Sequence, residues 1–542
     1  MEDVFVYPLK NSNEYKEIIN SICERKGALQ LNGLLDMQKP HITYSIFKEL
    51  ARPTLFIANS DLEAKKVYNE LRFYTKDKVE YLGTDEIYFY HLDAKDRSEE
   101  AKKLRVLLKL AKKQKTIVVT SVDAILRKYI PKKVLLDNIF TYKIGDIINL
   151  EELSQNLVRL GYERVSRIEG LGQFSIRGGI IDVYSLEYTN PIRIELFDDE
   201  IDSIRTFDVF SQKSIDKIKK VVITPSREFI YPEDTTSAVE KIKEETNKYT
   251  DDDVLKNIEN ISDRTYFQGV ENYIDYLYDD QNKSIFSYLP DNGIVVMSDI
   301  SRLKERCENY LNEFKDNYNL NLERGLAIKN QGNLIYSYEE LPYILEDKKL
   351  IINSLLAKPI NGFSVNNVID FNSREIPAYN SKLDTLVEDL NRFKYNGYKI
   401  ILAVNSSDRC KKLQKDLLDL GLEVGISKSR NTEIKSSQII IVPANISKGF
   451  EYKSIKFQVI TDTEIIGVNK RVSKKTKNKK NKDGKKIESF LDLKIGDYVV
   501  HENSGIGRYT GIEQISVNGI KKDYLKIIYQ GGDNLYVPID QM

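Results

Sequence analysis

Binding a nucleoside triphosphate takes a loop whose backbone N–H groups wrap phosphate, a lysine that reaches the outer phosphates and a hydroxyl that holds magnesium, spaced G-x-x-x-x-G-K-[ST]. No intact copy occurs; the nearest match is Gly33-Leu34-Leu35-Asp36-Met37-Gln38-Lys39-Pro40. Gly33 and Lys39 stand in place, but Gln38 replaces the glycine that lets the backbone close on an anion. Pro40 replaces the hydroxyl and removes an N–H donor. The loop is expected not to cradle ATP, and its plain alternative is an ordinary loop with a chance lysine. Asp299, at the end of GIVVMSD, lacks the following acid of a metal-binding strand end. His41, His91 and His501 have no cysteine or histidine at ligand spacing, so solvent-facing or hydrogen-bonded roles are expected. No G-x-S-x-G occurs, and acid runs such as Asp198-Asp199-Glu200 read as solvated turns. On residues alone this is a binding protein on a nucleotide-fold scaffold, with no catalytic residue, metal site or cofactor expected.

The elements that would carry such a loop are βα units. LFIANS is a short apolar strand, and DLEAKKVYNELRFY then places Leu62, Val67 and Leu71 on one helical face. TIVVTSVDAILRKY repeats the unit, with Ile117 to Val119 as strand and Ser121 opening the helix. Buried parallel strands follow from such repeats. From about Asp137 the pattern changes to QFSIRGGIIDVY and PIRIELFDDEIDSIRTFD, with Arg177-Gly178-Gly179 as a hairpin signal. Ile192, Ile194 and Leu196 there alternate with Arg193, Glu195 and Phe197. A small antiparallel insertion is expected, after which the chain returns to the first sheet. From about Lys349 a separate compact α/β unit is expected, with Leu383, Leu386, Val387, Leu390 and Phe393 at helical spacing.

At 542 residues the chain is too long for a single core, and roughly three or four domains are expected. No apolar run reaches the ~18 residues of a membrane span, and MEDVFVYPLK lacks the basic-then-apolar order of a secretory leader. A cytoplasmic protein with no membrane partner is expected. Cys23, Cys307 and Cys410 are too few and too scattered for disulfides or structural zinc. The net charge of zero hides one segment: residues 470–486 read KRVSKKTKNKKNKDGKK, ten basic residues against one Asp. That composition is expected to form a flexible tether with weak affinity for double-stranded DNA. Beyond it, short strands separated by Gly, Asn and Asp turns predict a small β-barrel-like module.

Several long stretches resemble one family. The run GYERVSRIEGLGQFSIRGGIIDVYSLEYTNPIRIELFDDEIDSIRTFDVFSQKSI resembles the second domain of the bacterial transcription-repair coupling factors and of the excision-repair protein UvrB. YLGTDEIYFYHLDAKDRSEEAKKLRVLLKL and IVVTSVDAILRKYIP resemble the first domain of that family, a helicase-like lobe. FQGVENYIDYLYDDQNKSIFSYLPDNGIVVMSD and GFEYKSIKFQVITDTEIIG fit it further along, and residues 496–542 resemble its CarD-like RNA polymerase-interacting domain. The resemblance implies a multidomain α/β protein. Its parts would be a UvrB-like domain 1a at 1–136, a UvrA-binding domain 2 at 137–208, domain 1b at 209–348, a small α/β domain at 349–467, a basic linker at 468–487 and a CarD- or Tudor-like module at 488–542.

In such a family this stretch would be the N-terminal half, with the ATP- and magnesium-dependent DNA translocase beyond Met542. What remains would recruit UvrA and grip the RNA polymerase β subunit without hydrolysing ATP. The UvrA-binding surface would fall on Arg164, Arg167, Phe174 and Arg177, with a buried strand position as the plain alternative for Phe174 and a turn ion pair for Arg177. The polymerase contact would fall on Glu513, Gln514, Ile515, Ser516 and Val517, an edge strand with Ile515 as apolar anchor provided it does not face inward. The competing readings are a UvrB-like lobe that still binds nucleotide and DNA, and a transcription factor using the CarD-like end alone.

Overall fold

The computed structural model describes residues 3–24, 27–75, 78–89, 97–427, 429–467, 496–501, 505–517, 520–528 and 534–538. The chain divides into two units, Met1–Asn469 and Lys470–Met542. The basic segment expected to be a tether lies outside the described residues.

Apolar runs such as Thr54–Ala58 (TLFIA) and Ile117–Ser121 (IVVTS), buried at every position, can only be satisfied in a sheet covered on both faces. They form it: seven strands in the order Val365–Asp370, Ala28–Asn32, Lys349–Ser354, Ile294–Met297, Thr54–Ala58, Ile117–Ser121, Val79–Leu82. All the pairings are parallel. In the helix Asp61–Thr75, Val67 and Leu71 are buried with Ala64 and Tyr74. Leu62 departs from the expected face: five residues before Val67 it stands well round the helix from the buried stripe, is 66% exposed and lines a cleft instead.

The separate unit expected from Lys349 begins later. Lys349–Ser354 and Val365–Asp370 flank Ala28–Asn32 on its two sides and belong to the first sheet. The second sheet starts at Ser373 and runs Ser373–Arg374, Phe450–Tyr452, Phe457–Thr461, Lys399–Val404, Ile439–Pro443, Gly425–Ile426. It is parallel in its centre and antiparallel at the Ser373 end. The expected helical face packs on it, with Leu386, Val387 and Leu390 buried on Leu383–Tyr395. The two α/β lobes are not independent, since one apolar cluster runs from Phe5, Ile42 and Tyr74 through Phe450, Tyr452 and Phe457.

Between the strands of the first sheet the chain makes an excursion of six strands: Ser214–Ile218, Glu200–Phe207, Ile192–Phe197, Ile180–Val183, Gln173–Arg177 and Glu163–Arg164, antiparallel as expected except that Glu163–Arg164 pairs with Gln173–Arg177 in parallel. Its expected end at 208 falls inside the sheet, because Ser214–Ile218 pairs with Glu200–Phe207 and Lys220–Ile223 returns to pair with Phe140–Lys143. Gln173–Arg177 and Ile180–Val183 are joined by Gly178–Gly179 as the hairpin signal predicts. Gly178 has φ +58, and a Cβ on Gly179 would stand 3.1 Å from the Leu196 carbonyl oxygen, so both positions favour glycine. The helix Leu150–Arg159 covers the apolar face; Asn149 caps it by accepting from the N–H groups of Glu151 and Glu152 at 2.9 and 3.1 Å. The excursion is tied to the first lobe by one helix and the residue after it, Arg97–Ala111 and Lys112. Lys103 pairs with Glu228 at 2.9 Å, Arg105 donates to the Leu186 carbonyl at 3.0 Å and Lys112 pairs with Glu187 at 2.7 Å.

The second unit is an antiparallel meander of Tyr498–His501, Gly505–Val517, Ile520–Ile528 and Asn534–Pro538. No helix among the described residues is long and apolar enough to cross a membrane.

Candidate functional site: a decayed phosphate loop, a charged sheet face and a half-paired strand

The loop at Gly33 has the strand–loop–helix setting of a phosphate-binding loop, running from Ala28–Asn32 to the helix Gln38–Leu50. Its side chains turn it inward. Gln38 is fully buried, accepts from the Leu35 N–H at 2.9 Å and donates to the Glu451 carbonyl of the second lobe at 3.0 Å. Lys39 is held by Asp36 at 3.0 Å. Burial works to raise the Asp36 pKa, but Lys39, with Arg302 and Lys448 behind it, overcomes this and holds the carboxyl below its ordinary value. Gly33 is required by the fold itself: at φ +75 a Cβ would meet the Phe371 carbonyl oxygen at 2.4 Å.

A cleft of about 780 Å³ opens beside the loop, lined both by Asp36, Glu63, Glu70, Asp299 and Glu375 and by Lys39, Lys66, Arg302 and Lys448. A triphosphate with magnesium needs free N–H donors, a free lysine and a hydroxyl; this loop offers an occupied donor, a paired lysine and a proline. The residues present do not fit the group. Among the described residues no cluster of three His, Cys, Asp or Glu side chains could hold a metal. His41 is buried between the lobes, its Nε2 2.8 Å from the Phe5 carbonyl and its Nδ1 3.0 Å from the Tyr452 hydroxyl.

On the antiparallel sheet, alternation sorts the expected contact residues. Ser175 and Arg177 point to the polar face, so Phe174 points to the other. Phe174 is fully buried among Ile181, Val183 and Ile192, which corrects its expected place on the contact surface: the strand period assigns it to the core. Arg164 and Arg167 are exposed. Arg177 is half-exposed and also makes the expected turn ion pair, at 2.8 Å to Asp182. The buried Asp182 carboxylate is shared with Arg193, whose Nε and Nη2 lie 2.6 and 2.8 Å away. Arg205 continues the row across the sheet and pairs with Glu195. Sequence reasoning missed two phenylalanine rings exposed on this domain, Phe197 at the 196–201 hairpin and Phe210 in the loop after Phe207. The alternation that sets Phe197 beside Arg193 and Glu195 signals the first; no periodic pattern reaches Phe210.

In the strand-rich unit, residues 513–517 lie in the second strand of the meander. That strand is covered unequally. Tyr498–His501 pairs only with its start, Gly505 to Arg508, whereas Ile520–Ile528 pairs along it to Val517. Over 513–517, therefore, one side only is covered by a described strand. Val517 and Ile520 close a two-residue hairpin and form the hydrogen-bonded kind of pair. Alternation then turns the backbone N–H and C=O of Ser516 and Gln514 away from Ile520–Ile528. Glu513 pairs with Lys526 at 3.0 Å. The side chains of Gln514, Ile515, Ser516 and Val517 lie outside the described residues.

The chain thus comprises a two-lobed α/β scaffold whose loop at Gly33 is turned inward, an arm of mostly antiparallel strands and a strand-rich unit. A family model described as the UvrB interaction domain matches residues 140–229, and one described as the CarD-like/TRCF RID domain matches residues 493–542. Among curated proteins, the transcription-repair-coupling factor of Bacillus subtilis (strain 168) is 32% identical over 98% of this chain and 46% of its own length. Those of Staphylococcus epidermidis and of Staphylococcus aureus (strain MRSA252) are 26% and 27% identical over 100% and 98% of this chain, and 47% and 46% of theirs. The resemblance to the transcription-repair coupling factors read from the sequence is borne out over nearly the whole chain. The chain spans about half the length of the curated relatives it matches.

Proposed function

We propose that this chain is the recruiting and polymerase-gripping part of a transcription-coupled DNA repair factor. The observation that carries this is the presence, on one chain, of a UvrB interaction domain and a CarD-like module, joined to lobes whose phosphate loop does not fit ATP. The polar face of the antiparallel sheet, with Arg164, Arg167 and Arg177, takes UvrA; guanidinium groups offer large, rigid, bidentate contacts. The strand at 513–517 adds to the sheet of the RNA polymerase β subunit, using the outward backbone groups of Gln514 and Ser516. Residues 468–487 hold DNA weakly by charge. In the parent protein an ATP- and magnesium-driven DNA translocase displaces polymerase stalled at lesions in the cytoplasm. The reading of a UvrB-like lobe that still binds nucleotide is disfavoured by the Gln38 and Lys39 contacts.

The test is titration of the chain with purified UvrA and, separately, with purified polymerase β subunit. Binding to both, with separate sets of disabling substitutions, is the expected result; binding to neither overturns the reading.

A further inference from the structure

We propose that Phe210 is the aromatic anchor of the surface to which the preceding section assigns UvrA binding; the inference rests on that reading and adds the residue on which its affinity turns. Phe210 is 89% exposed; a lone exposed ring is ordinary on a protein surface, and what distinguishes this one is the bracing of its loop and the arginines bound to it. The loop that carries it is held rigidly. Asp208 Oδ1 accepts from the N–H and the hydroxyl of Ser211 at 2.7 and 2.8 Å. Asp208 N donates to the Lys213 carbonyl at 3.0 Å, Gln212 N donates to the Asp208 carbonyl at 2.8 Å, and Gln212 Nε2 donates to the Val209 carbonyl at 2.8 Å. Gln212 is held at φ +58 by this closure.

Two arginines of the polar face fasten the loop from outside. Arg193, already on Asp182, donates to Gln212 Oε1 at 3.2 Å. Arg167, which follows the edge strand at the far side of the sheet, donates to the Phe210 carbonyl oxygen at 3.2 Å. The loop therefore folds back across the charged face, and one network joins Arg177, Asp182, Arg193, Gln212 and Arg167 to the backbone of Phe210. Phe197, the other exposed phenyl ring of this domain, stands at the end of a hairpin strand opposite Glu200. An aromatic ring on a braced loop, with guanidinium groups bound to that loop, has the composition of an interface hot spot, and a loop already ordered loses little backbone freedom on binding. The partner it fits is a folded protein surface with an apolar pocket rimmed by carboxylates, and under the reading above that surface belongs to UvrA.

The experiment is titration of Phe210→Ala, Phe210→Leu and the unsubstituted chain with purified UvrA, beside the melting temperature of each. Phe210→Ala is expected to bind about thirtyfold more weakly, the effect of losing a hot-spot side chain, and Phe210→Leu to keep part of the affinity, with melting temperatures unchanged. Asp208→Ala, which loosens the loop without altering the ring, is expected to fall between. If the unsubstituted chain binds UvrA and Phe210→Ala binds equally well, the anchor is disproved while the functional reading stands. If the unsubstituted chain does not bind UvrA, that reading fails and the anchor with it. A large fall in melting temperature for Phe210→Ala would assign the ring to the fold and also overturn the proposal.

Discussion

Gln38 donates its side-chain amide to the carbonyl oxygen of Glu451 at 3.0 Å, so the residue standing where a phosphate loop keeps its second glycine fastens one α/β lobe to the other. The same side chain accepts from the Leu35 N–H, one of the donors that would otherwise face an anion. Contacts made with phosphate in an active loop are replaced here by contacts within the protein.

Substituting Gln38 with Ala should therefore destabilise the chain without restoring nucleotide binding. Leaving the buried Glu451 carbonyl unpartnered costs about 1–3 kcal/mol, and the part-buried Leu35 N–H adds less. A lower melting temperature that added ATP and magnesium do not raise is the expected outcome. Stabilisation by ATP would show that the loop retains a nucleotide site.

The Asp182 carboxylate should matter more to stability than either arginine it holds. Asp182→Ala strands Arg193, whose side chain is 15% exposed, and breaking such a buried pair costs about 3 kcal/mol or more. Arg177→Ala leaves Asp182 with both of its bonds to Arg193 and removes a half-exposed partner, for less than about 1 kcal/mol. Urea titrations of the two variants, with UvrA affinity measured alongside, separate the structural part of Arg177 from its contact role.

His41 should make the junction of the lobes acid-sensitive. Burial lowers its pKa from 6.5 to about 4, although the Phe5 carbonyl and Asp3 favour the charged form. The two hydrogen bonds fit a neutral ring that donates from Nε2 to Phe5 and accepts at Nδ1 from Tyr452. Because the unfolded chain takes up this proton first, the contribution is full above about pH 6.5 and is lost as pH falls through about 4. One proton over that interval amounts to at most about 3 kcal/mol. Stability measured from pH 7 to 4 should fall less steeply in His41→Gln than in the unsubstituted chain.

Ser516→Pro should abolish binding to the polymerase β subunit while the meander stays folded. The Ser516 N–H points away from Ile520–Ile528, so proline removes a donor offered to an added strand and spares the hairpin bonds. Ile515→Arg is expected to act by setting a charge against an apolar pocket. Circular dichroism and parallel titrations with the β subunit and UvrA check both variants. Loss of UvrA binding as well would show the two surfaces to be coupled.

The sequence by itself determined what depends on near neighbours along the chain. The apolar runs at Thr54–Ala58 and Ile117–Ser121, the alternation in Ile192–Phe197 and the Gly178–Gly179 turn all rest on local geometry, and each stands in the structure. The departures from a phosphate-loop pattern at Gln38 and Pro40 are equally legible, because the pattern is read residue by residue. Tertiary structure alone decided what depends on distant neighbours. Lys349–Ser354 and Val365–Asp370 join the first sheet because parallel strands are matched by hydrogen bonding to Ala28–Asn32, a partner far away in sequence. Phe174 and Arg177 share one strand, yet only the helix Leu150–Arg159, packing on one side, makes one of them core and the other surface. Phe210 lies in a loop with no period to read, and that loop is placed by Arg167 on the Phe210 carbonyl and Arg193 on Gln212, which reach it from other parts of the sheet. Local patterning limits which elements form; which of their faces remain open is settled by the packing of segments that the local pattern does not connect.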